Sequence, residues 1–214
     1  MILLDPINAT TAAKVQFRMK GTETKLAGPI REISISVRDL AVGDYYQGGI
    51  VGYIFADSDP GYIAGQVHGL IAANKDLSGA YKWSEDFKDN GSEVGTDILI
   101  RTGLENTNSI ISHLGVLASS YAAGAASNYN GGGYDDWFLP SWNELNKVRD
   151  NRLLIGNFIT TAYSVYWTSS ESTQGGAYTP DWTVHSVLLD GSPASTWWVN
   201  RKTDQLPVRP VRYF

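Results

Sequence analysis

Side chains able to bind an external molecule are concentrated in one late segment of the chain, residues 172–201. Indole and phenol rings stack on sugar rings or anchor protein partners, and amide and guanidinium groups supply hydrogen bonds beside them. Trp197 and Trp198 are adjacent, and adjacent strand residues face opposite sides of a sheet, so one indole is expected at the surface. The alternative is that both are buried beneath long loops. The predicted ligand-binding residues are Tyr178, Trp182, His185, Trp197, Trp198, Asn200 and Arg201.

The chain offers little of what a catalytic site requires. Its histidines are His68, His113 and His185, and no Gly-x-Ser-x-Gly elbow accompanies them. There is no cysteine, which excludes a thiol nucleophile and a disulfide framework. We predict a structural hydrogen-bonding role for His68 and a helix-surface position for His113. No obvious carboxylate pair suits glycoside hydrolysis, and we predict that the protein has no catalytic residues.

Metal, cofactor and nucleic-acid sites are also disfavoured. Asp57 with Asp59, or Asp135 with Asp136, could supply oxygen ligands to calcium, but acids in glycine-rich loops more often form turns. Gly131–Gly133 lacks the lysine of a phosphate-binding loop. The net charge is −5, and no basic run exceeds two residues, which argues against a nucleic-acid interface. We predict no metal, no cofactor, no nucleic acid and no membrane insertion.

Five blocks of sequence occur in an order that resembles a known family. They are residues 48–55, residues 68–73, the block Tyr134 to Leu145 with Pro140 and a Ser141/Glu144 capping box, the block Tyr166 to Glu171, and the closing block Val208 to Phe214. Together they resemble the bacterial and phage surface domains of C-type-lectin-like fold related to the C-terminal domain of the Legionella collagen-like adhesin. The resemblance covers residues 44–214.

The resemblance implies a non-enzymatic recognition module. Similar domains act as adhesins or as receptor-binding tips of phage tail fibres, and in some the last strands are varied by diversity-generating retroelements. The expected partner is a cell-surface glycan or protein receptor, and a homotrimer is expected by analogy. The Glu-Pro-Asn, Gln-Pro-Asp and Trp-Asn-Asp motifs of calcium-dependent sugar-binding lectins are absent. The first residues lack a basic start and a long apolar stretch, so we expect a virion tail fibre or, failing that, an extracellular surface.

The order of predicted helices and strands along the chain indicates an α+β fold. Apolar spacing predicts one helix over Asn106–Ala126, capped by Asn106 or Thr107, and the capping box predicts a second over Ser141–Arg149. The later half is expected to be β-rich. Predicted strands follow at 163–169, 182–189, 196–201 and 208–214. Predicted core residues are Trp137, Leu139, Trp167 and Val211, and Trp83 is predicted to anchor a long loop. We predict that Arg209 and Arg212 form structural salt bridges, with a sulfated ligand as the alternative use.

The N-terminal residues 1–43 are predicted to form a separate β segment, with residues 44–214 as the ligand-binding domain. Alternating apolar residues predict strands at Lys14–Lys20 and Glu32–Arg38. Two strands alone are marginally stable, so this hairpin is an expected oligomer contact. The two leading hypotheses of function are a recognition module and a structural capping or trimerisation domain of a fibre or surface assembly. A glycan-active enzyme is the third, weaker one, since it needs paired carboxylates that face one cleft.

Overall fold

The computed structural model describes both backbone and side chains for most residues from 39 onward. The described residues are 13–17, 31–35, 39–84, 94–159, 165–172, 183–188 and 198–214, with the backbone alone at 13–17, 31–35, 116–117, 183–188 and 198–199. The chain divides into two compact units, Met1–Ala41 and Val42–Phe214.

The first unit contains an antiparallel pair of strands. Strand β1, Ala13–Phe17, pairs with β2, Arg31–Ile35, and Val15 lies opposite Ile33. The predicted pairing of two alternating strands is therefore confirmed for these residues, and residues 18–20 and 36–38 of the predicted strands lie outside the described residues.

The second unit combines helices with two antiparallel sheets. Its described strands are β3 Tyr45–Tyr46, β4 Gly49–Ile54, β5 Gly69–Ala72, β6 Val165–Glu171, β7 Thr183–Leu188, β8 Trp198–Arg201 and β9 Val211–Tyr213. Its described α-helices are α1 Gly103–Leu114, α2 Ala122–Ser127, α3 Trp142–Asp150 and α4 Arg152–Ile155, with 3-10 turns at Gly115–Ser120 and Gly131–Gly133. The mixed α+β class predicted from the sequence is confirmed.

The larger sheet has the strand order β3-β4-β5-β9. It joins the start of the unit to its end, because β9 pairs with β5 and places Leu70 opposite Tyr213. The β4–β5 register shifts between Val51 and Tyr53. A side chain at Gly69 would overlap the carbonyl oxygen of Tyr53, so glycine allows the two strands to approach closely here.

The smaller sheet has the order β6-β7-β8, and its first strand is buried along its whole length. The polar residues of β6 are satisfied by neighbouring elements. Ser170 Oγ donates to Asp97 O at 2.7 Å and accepts from Trp142 N at 3.0 Å, and Ser169 Oγ accepts from Asn106 Nδ2 at 3.1 Å. These bonds attach β6 to the starts of α1 and α3, since a buried polar group without a partner would be costly.

Buried indoles fill much of the core. Trp83, Trp137 and Trp167 are each at most 1% exposed. Trp83 Nε1 donates to Thr168 O at 3.1 Å, and Trp167 Nε1 donates to Tyr81 O at 2.6 Å. Each ring therefore adds apolar burial without leaving a donor unpaired. Leu139 and Val211 are also fully buried, so all the predicted core residues are confirmed.

The long helix predicted over 106–126 is wrong in two respects. It breaks at Gly115, whose φ of 60° is left-handed, and resumes as α2 after the 3-10 turn. The helix also begins earlier, with Thr102 at the N-cap. Asn106 and Thr107 are buried inside α1 instead of capping it: Asn106 Nδ2 donates to Asp97 O at 2.6 Å, and Thr107 Oγ1 accepts from Leu139 N at 3.0 Å. Tertiary partners thus outweighed their local capping preference.

Helix α3 begins as predicted. Ser141 Oγ accepts from Glu144 N at 3.3 Å, and Glu144 Oε2 accepts from Ser141 N at 2.8 Å, which completes the capping box. The final strand is shorter than predicted, because the chain at 208–210 is buried without forming sheet. Among the described residues, no helix has the length and apolarity needed to cross a bilayer.

Candidate functional site

The predicted ligand-binding residues are centred on strands β7 and β8. Register places His185 opposite Val199, Ser186 opposite Trp198, and Val184 opposite Asn200. The backbones of four predicted residues, His185, Trp198, Asn200 and Arg201, therefore lie on neighbouring strands. The other three, Tyr178, Trp182 and Trp197, fall outside the described residues, as does the predicted tight turn at 190–191.

Asn200 and Arg201 have described side chains at the end of β8. Asn200 is half-buried, and its Nδ2 donates to Asp204 Oδ2 at 3.3 Å. The same carboxylate oxygen accepts from Arg201 N at 3.0 Å, while the Arg201 side chain is exposed. Asp204 thus fixes the turn that follows β8, and the Arg201 guanidinium extends to solvent.

A buried ion pair links the end of β6 to the residue that follows β8. Lys202, next after β8, donates through Nζ to Glu171 Oε1 at the end of β6, at 2.6 Å, and both side chains are buried. Lys202 Nζ also lies 4.6 Å from the centre of the Trp83 ring, within cation–π distance. Glu171 Oε2 accepts from Val94 N at 2.8 Å. Removing one partner of such a pair costs about 3–5 kcal/mol, because the other charge is then buried without compensation.

A concave region, the α1 cleft, lies along the polar side of helix α1. Its volume is about 710 Å³. It is lined by Val94, Arg101, Leu104, Glu105, Asn108, Ser109, Ser112, His113 and Tyr213. The predicted surface position of His113 is confirmed, because this residue is exposed near the end of α1. Ligand sites of small molecules typically occupy about 300–1,000 Å³, so the cleft is of suitable size.

Arg101 is the most unusual residue of the α1 cleft. Its φ is 76°, a left-handed conformation that costs a non-glycine residue about 1–2 kcal/mol. Its guanidinium lies 4.7 Å from the ring centre of Tyr213 and 5.8 Å from that of Phe55. Within the described part of the chain the guanidinium has these ring contacts but no hydrogen bond. The side chain is therefore held by aromatic faces while its donors remain available.

The buried carboxylate of Glu144 accepts hydrogen bonds from two residues that line the α1 cleft, Arg101 and Tyr213. Its Oε1 accepts from Arg101 N at 2.9 Å and from Tyr213 Oη at 2.5 Å. Burial raises the pKa of Glu144, although the hydrogen bonds from Tyr213, Ser141 and Arg101 act in the opposite direction. Burial and the neighbouring Glu144 raise the pKa of Tyr213, so its hydroxyl remains a donor. This geometry preorganises Arg101 and Tyr213.

The other residues singled out from the sequence have structural contacts. Arg209 pairs with Asp76 at 2.7 Å and Arg212 with Asp136 at 2.5 Å, so the predicted salt bridges are confirmed. His68 Nε2 lies 3.2 Å from Ile63 N and 3.1 Å from Gly61 O, as expected of a structural hydrogen-bonder. Asp59 accepts from Tyr53 Oη and Ala56 N, as a turn former does. No group of three metal-ligating side chains occurs among the described residues.

Sequence reasoning missed the α1 cleft. Its signal was present in the spacing of Glu105, Asn108, Ser109 and Ser112, which recur at three, four and seven positions and so share one helical face. The predicted helix rested on its apolar face alone. The left-handed backbone of Arg101 could not have been inferred, because arginine has no preference for it.

Comparisons with known proteins give no family for this chain: no family model matches it, and no curated protein matches it.

Proposed function

We propose that residues 44–214 form a non-enzymatic recognition module of C-type-lectin-like fold, an adhesin or the receptor-binding tip of a phage tail fibre. Its partner is a cell-surface glycan or protein. The ligand face consists of the predicted residues on β7, β8 and the segments beside them. These are Tyr178, Trp182, His185, Trp197, Trp198, Asn200 and Arg201.

The buried attachment of the β6-β7-β8 sheet is the observation that carries this proposal. The Glu171–Lys202 pair joins the end of β6 to the residue after β8, the strand that carries Trp198, Asn200 and Arg201. A fixed framework bearing aromatic-rich connections suits recognition, because residues held in place lose little entropy when they bind. Trp83 packs against Lys202 of the same pair.

The lectin-like fold is supported by where the five sequence blocks lie. Residues 48–55 include β4, residues 68–73 include β5, and the blocks at 166–171 and 208–214 include most of β6 and all of β9. The remaining block carries the capping box of α3. The resemblance thus rests on the buried framework of the unit, which is where similarity of fold is expressed.

Truncating Trp198 tests the recognition face. We expect Trp198→Ala to reduce retention of the protein on receptor-bearing cells by about ten-fold or more, the usual effect of losing an aromatic hot spot. The measurement is a quantitative cell pull-down with the fluorescently labelled full chain. Tyr45→Ala removes a well-exposed ring from β3 and is the matched control, expected to bind like the wild type.

Thermal melting of both variants separates loss of the face from loss of the fold. Retention of Trp198→Ala equal to that of the wild type would remove this indole from the site. If Arg201→Ala, whose side chain is exposed, also bound normally, the proposed face itself would be wrong.

An exposed apolar patch favours the second candidate, a structural capping or trimerisation domain. Leu153 and Leu154 of α4 are 87% and 62% exposed, and Ile159 follows them at 43%. Gly43 lies against Leu154, since a Cβ at Gly43 would be 3.3 Å from the Leu154 Cβ. Adjacent exposed leucines are typical of protein contacts. In this alternative the patch and residues 1–43 contact other copies in a homotrimer.

The oligomeric state of a leucine variant tests that alternative. We expect Leu153→Ser/Leu154→Ser to shift a trimer towards monomer in light scattering after gel filtration, because burial of two leucines contributes several kcal/mol per contact. Leu104→Ser, which alters a partly exposed leucine on α1, is the control and should leave the mass unchanged. A wild-type chain that is monomeric at all concentrations would rule the trimer out.

A further inference from the structure

We propose that the α1 cleft is a binding site for a carboxylate-bearing sugar, such as a uronic or nonulosonic acid. Arg101 would contact the carboxylate, and the polar side chains of α1 would contact the hydroxyl groups. Among the described residues, the lining of the cleft includes none of the seven residues of the predicted face. This site is therefore additional to the proposed recognition face and does not depend on it.

The guanidinium of Arg101 is the first argument. Arginine binds a carboxylate through two parallel hydrogen bonds from a planar fork, and this geometry requires donors that are not already engaged. In the described structure the Arg101 guanidinium contacts the rings of Tyr213 and Phe55 and makes no hydrogen bond. By contrast, Arg209 and Arg212 use their guanidinium groups in structural pairs. The two rings therefore orient the Arg101 guanidinium, and no carboxylate among the described residues pairs with its charge.

The left-handed backbone of Arg101 is the second argument. Glycine would adopt a φ of 76° without strain, yet an arginine occupies the position. The buried Glu144 carboxylate accepts from the Arg101 N–H and holds this conformation. Strained residues that the surroundings stabilise are concentrated at functional sites. Here the strain places a cation at the edge of a cleft.

The polar stripe of α1 is the third argument, and it selects the ligand class. Asn108, Ser109 and Ser112 supply both donors and acceptors, which suits the hydroxyl groups of a sugar. Leu104 and Val94 offer apolar contact for its C–H groups. Glu105 also lines the cleft, and its carboxylate repels a multiply charged phosphate more strongly than a singly charged acid. A singly charged acid with several hydroxyl groups fits all these features together.

Direct binding of small sugar acids tests the proposal. Calorimetry and saturation-transfer NMR would be performed on the full chain with sodium glucuronate and N-acetylneuraminate, beside neutral glucose and inorganic phosphate. We expect at least one acid to bind the wild type ten-fold or more tightly than glucose or phosphate. Failure of both acids to bind, or equal binding of phosphate, would overturn the proposal.

Arg101→Gly is the decisive variant, because glycine accepts the observed φ and the fold is retained. We expect it to weaken binding of the acid at least ten-fold, and Asn108→Ala to weaken it by a smaller factor. Arg152→Ala removes a half-buried arginine from α4 and is the matched control, with unchanged affinity expected. Undiminished binding by Arg101→Gly would place the acid elsewhere. Cell retention by Trp198→Ala reports separately on the proposed recognition face.

Discussion

Replacing Arg209 with methionine is expected to lower the free energy of unfolding by about 3–5 kcal/mol, as breaking a buried ion pair does. The Arg209 side chain is fully buried, and its Nε donates to Asp76 Oδ1 at 2.7 Å. Its other nitrogens donate to Ala73 O at 3.1 Å, to Gly156 O at 3.3 Å and to Asn157 O at 2.6 Å. Methionine is close enough in volume to keep the core filled, but it satisfies none of these acceptors.

Loss of Arg209 also leaves Asp76, its partner in the ion pair, without an opposite charge. Burial lowers the pKa of Arg209, and the adjacent Asp76 opposes this effect, so the two charges stabilise each other. Asp76 Oδ2 would retain the hydrogen bond from Tyr166 Oη at 2.6 Å, but its charge would lie uncompensated in the interior. Asp76→Asn combined with Arg209→Met is therefore expected to be less damaging than the sum of the two single changes.

Urea unfolding followed by fluorescence measures these differences. Arg152→Met is the matched control, because the Arg152 side chain makes a single described hydrogen bond, to Arg149 O at 3.2 Å, and we expect the substitution to cost less than about 1 kcal/mol. A loss of under 1 kcal/mol for Arg209→Met would show that the pair contributes little beyond its packing.

Glu144→Ala is expected to destabilise the protein by about 3–5 kcal/mol, since a buried donor left without a partner costs about 1–3 kcal/mol. Three donors lose their acceptor: Ser141 N, Arg101 N and Tyr213 Oη. The capping box of α3 is lost at the same time. Glu105→Ala, an exposed glutamate on α1, is the control and should change stability by less than about 0.5 kcal/mol. Equal stability of the two variants would contradict this account.

The pH dependence of stability reports on the same carboxylate. Because burial raises the pKa of Glu144, the folded chain holds this proton more tightly than the unfolded chain, whose glutamates titrate near a pKa of about 4.3. The stabilising contribution is therefore complete below the unfolded pKa and is lost as the pH rises through the folded pKa. Its slope is at most about 1.4 kcal/mol per pH unit.

Glu144→Gln isolates this contribution, because glutamine does not titrate. We expect the stability of the wild type minus that of Glu144→Gln to decrease from about pH 4 upwards, when both are unfolded in urea across the range. A difference that stayed constant or increased with pH would mean that the hydrogen bonds to Glu144, and not its burial, dominate its titration.

Local chemistry explains which parts of the fold could be predicted. The Ser141/Glu144 capping box needs residues three apart, so the start of α3 was visible in the sequence. Arg209 and Arg212 alternate with apolar neighbours, which indicated buried, paired cations. The acidic partners, Asp76 and Asp136, were not identified from the sequence. Prediction failed where a distant contact outweighed a local preference. Asn106 was predicted to cap the helix, but its side-chain amide donates a hydrogen bond to Ser169, which lies 63 positions away.

One candidate site was suggested by local sequence composition, and the other depends on contacts between residues distant in sequence. The aromatic content of residues 172–201 suggested a binding face, and its function remains a prediction. The α1 cleft depends on Glu144, which joins the backbone of Arg101 to the hydroxyl of Tyr213. Those three residues come from a loop, a helix and the last strand, and no local pattern links them. Only the folded structure shows that the Glu144 carboxylate positions both Arg101 and Tyr213.

The position of β9 at the edge of the larger sheet has a consequence for biosynthesis. Since Val211 and Tyr213 pair with β5 and Phe138 bridges to Val211, a nascent chain cannot complete this sheet until those residues leave the ribosome. Until then the edge of β5 stays open, with Leu70 and Ile71 lacking their cover. Such an interval favours association between unfinished chains, so slow translation or a ribosome stalled just before residues 211–213 would promote aggregation.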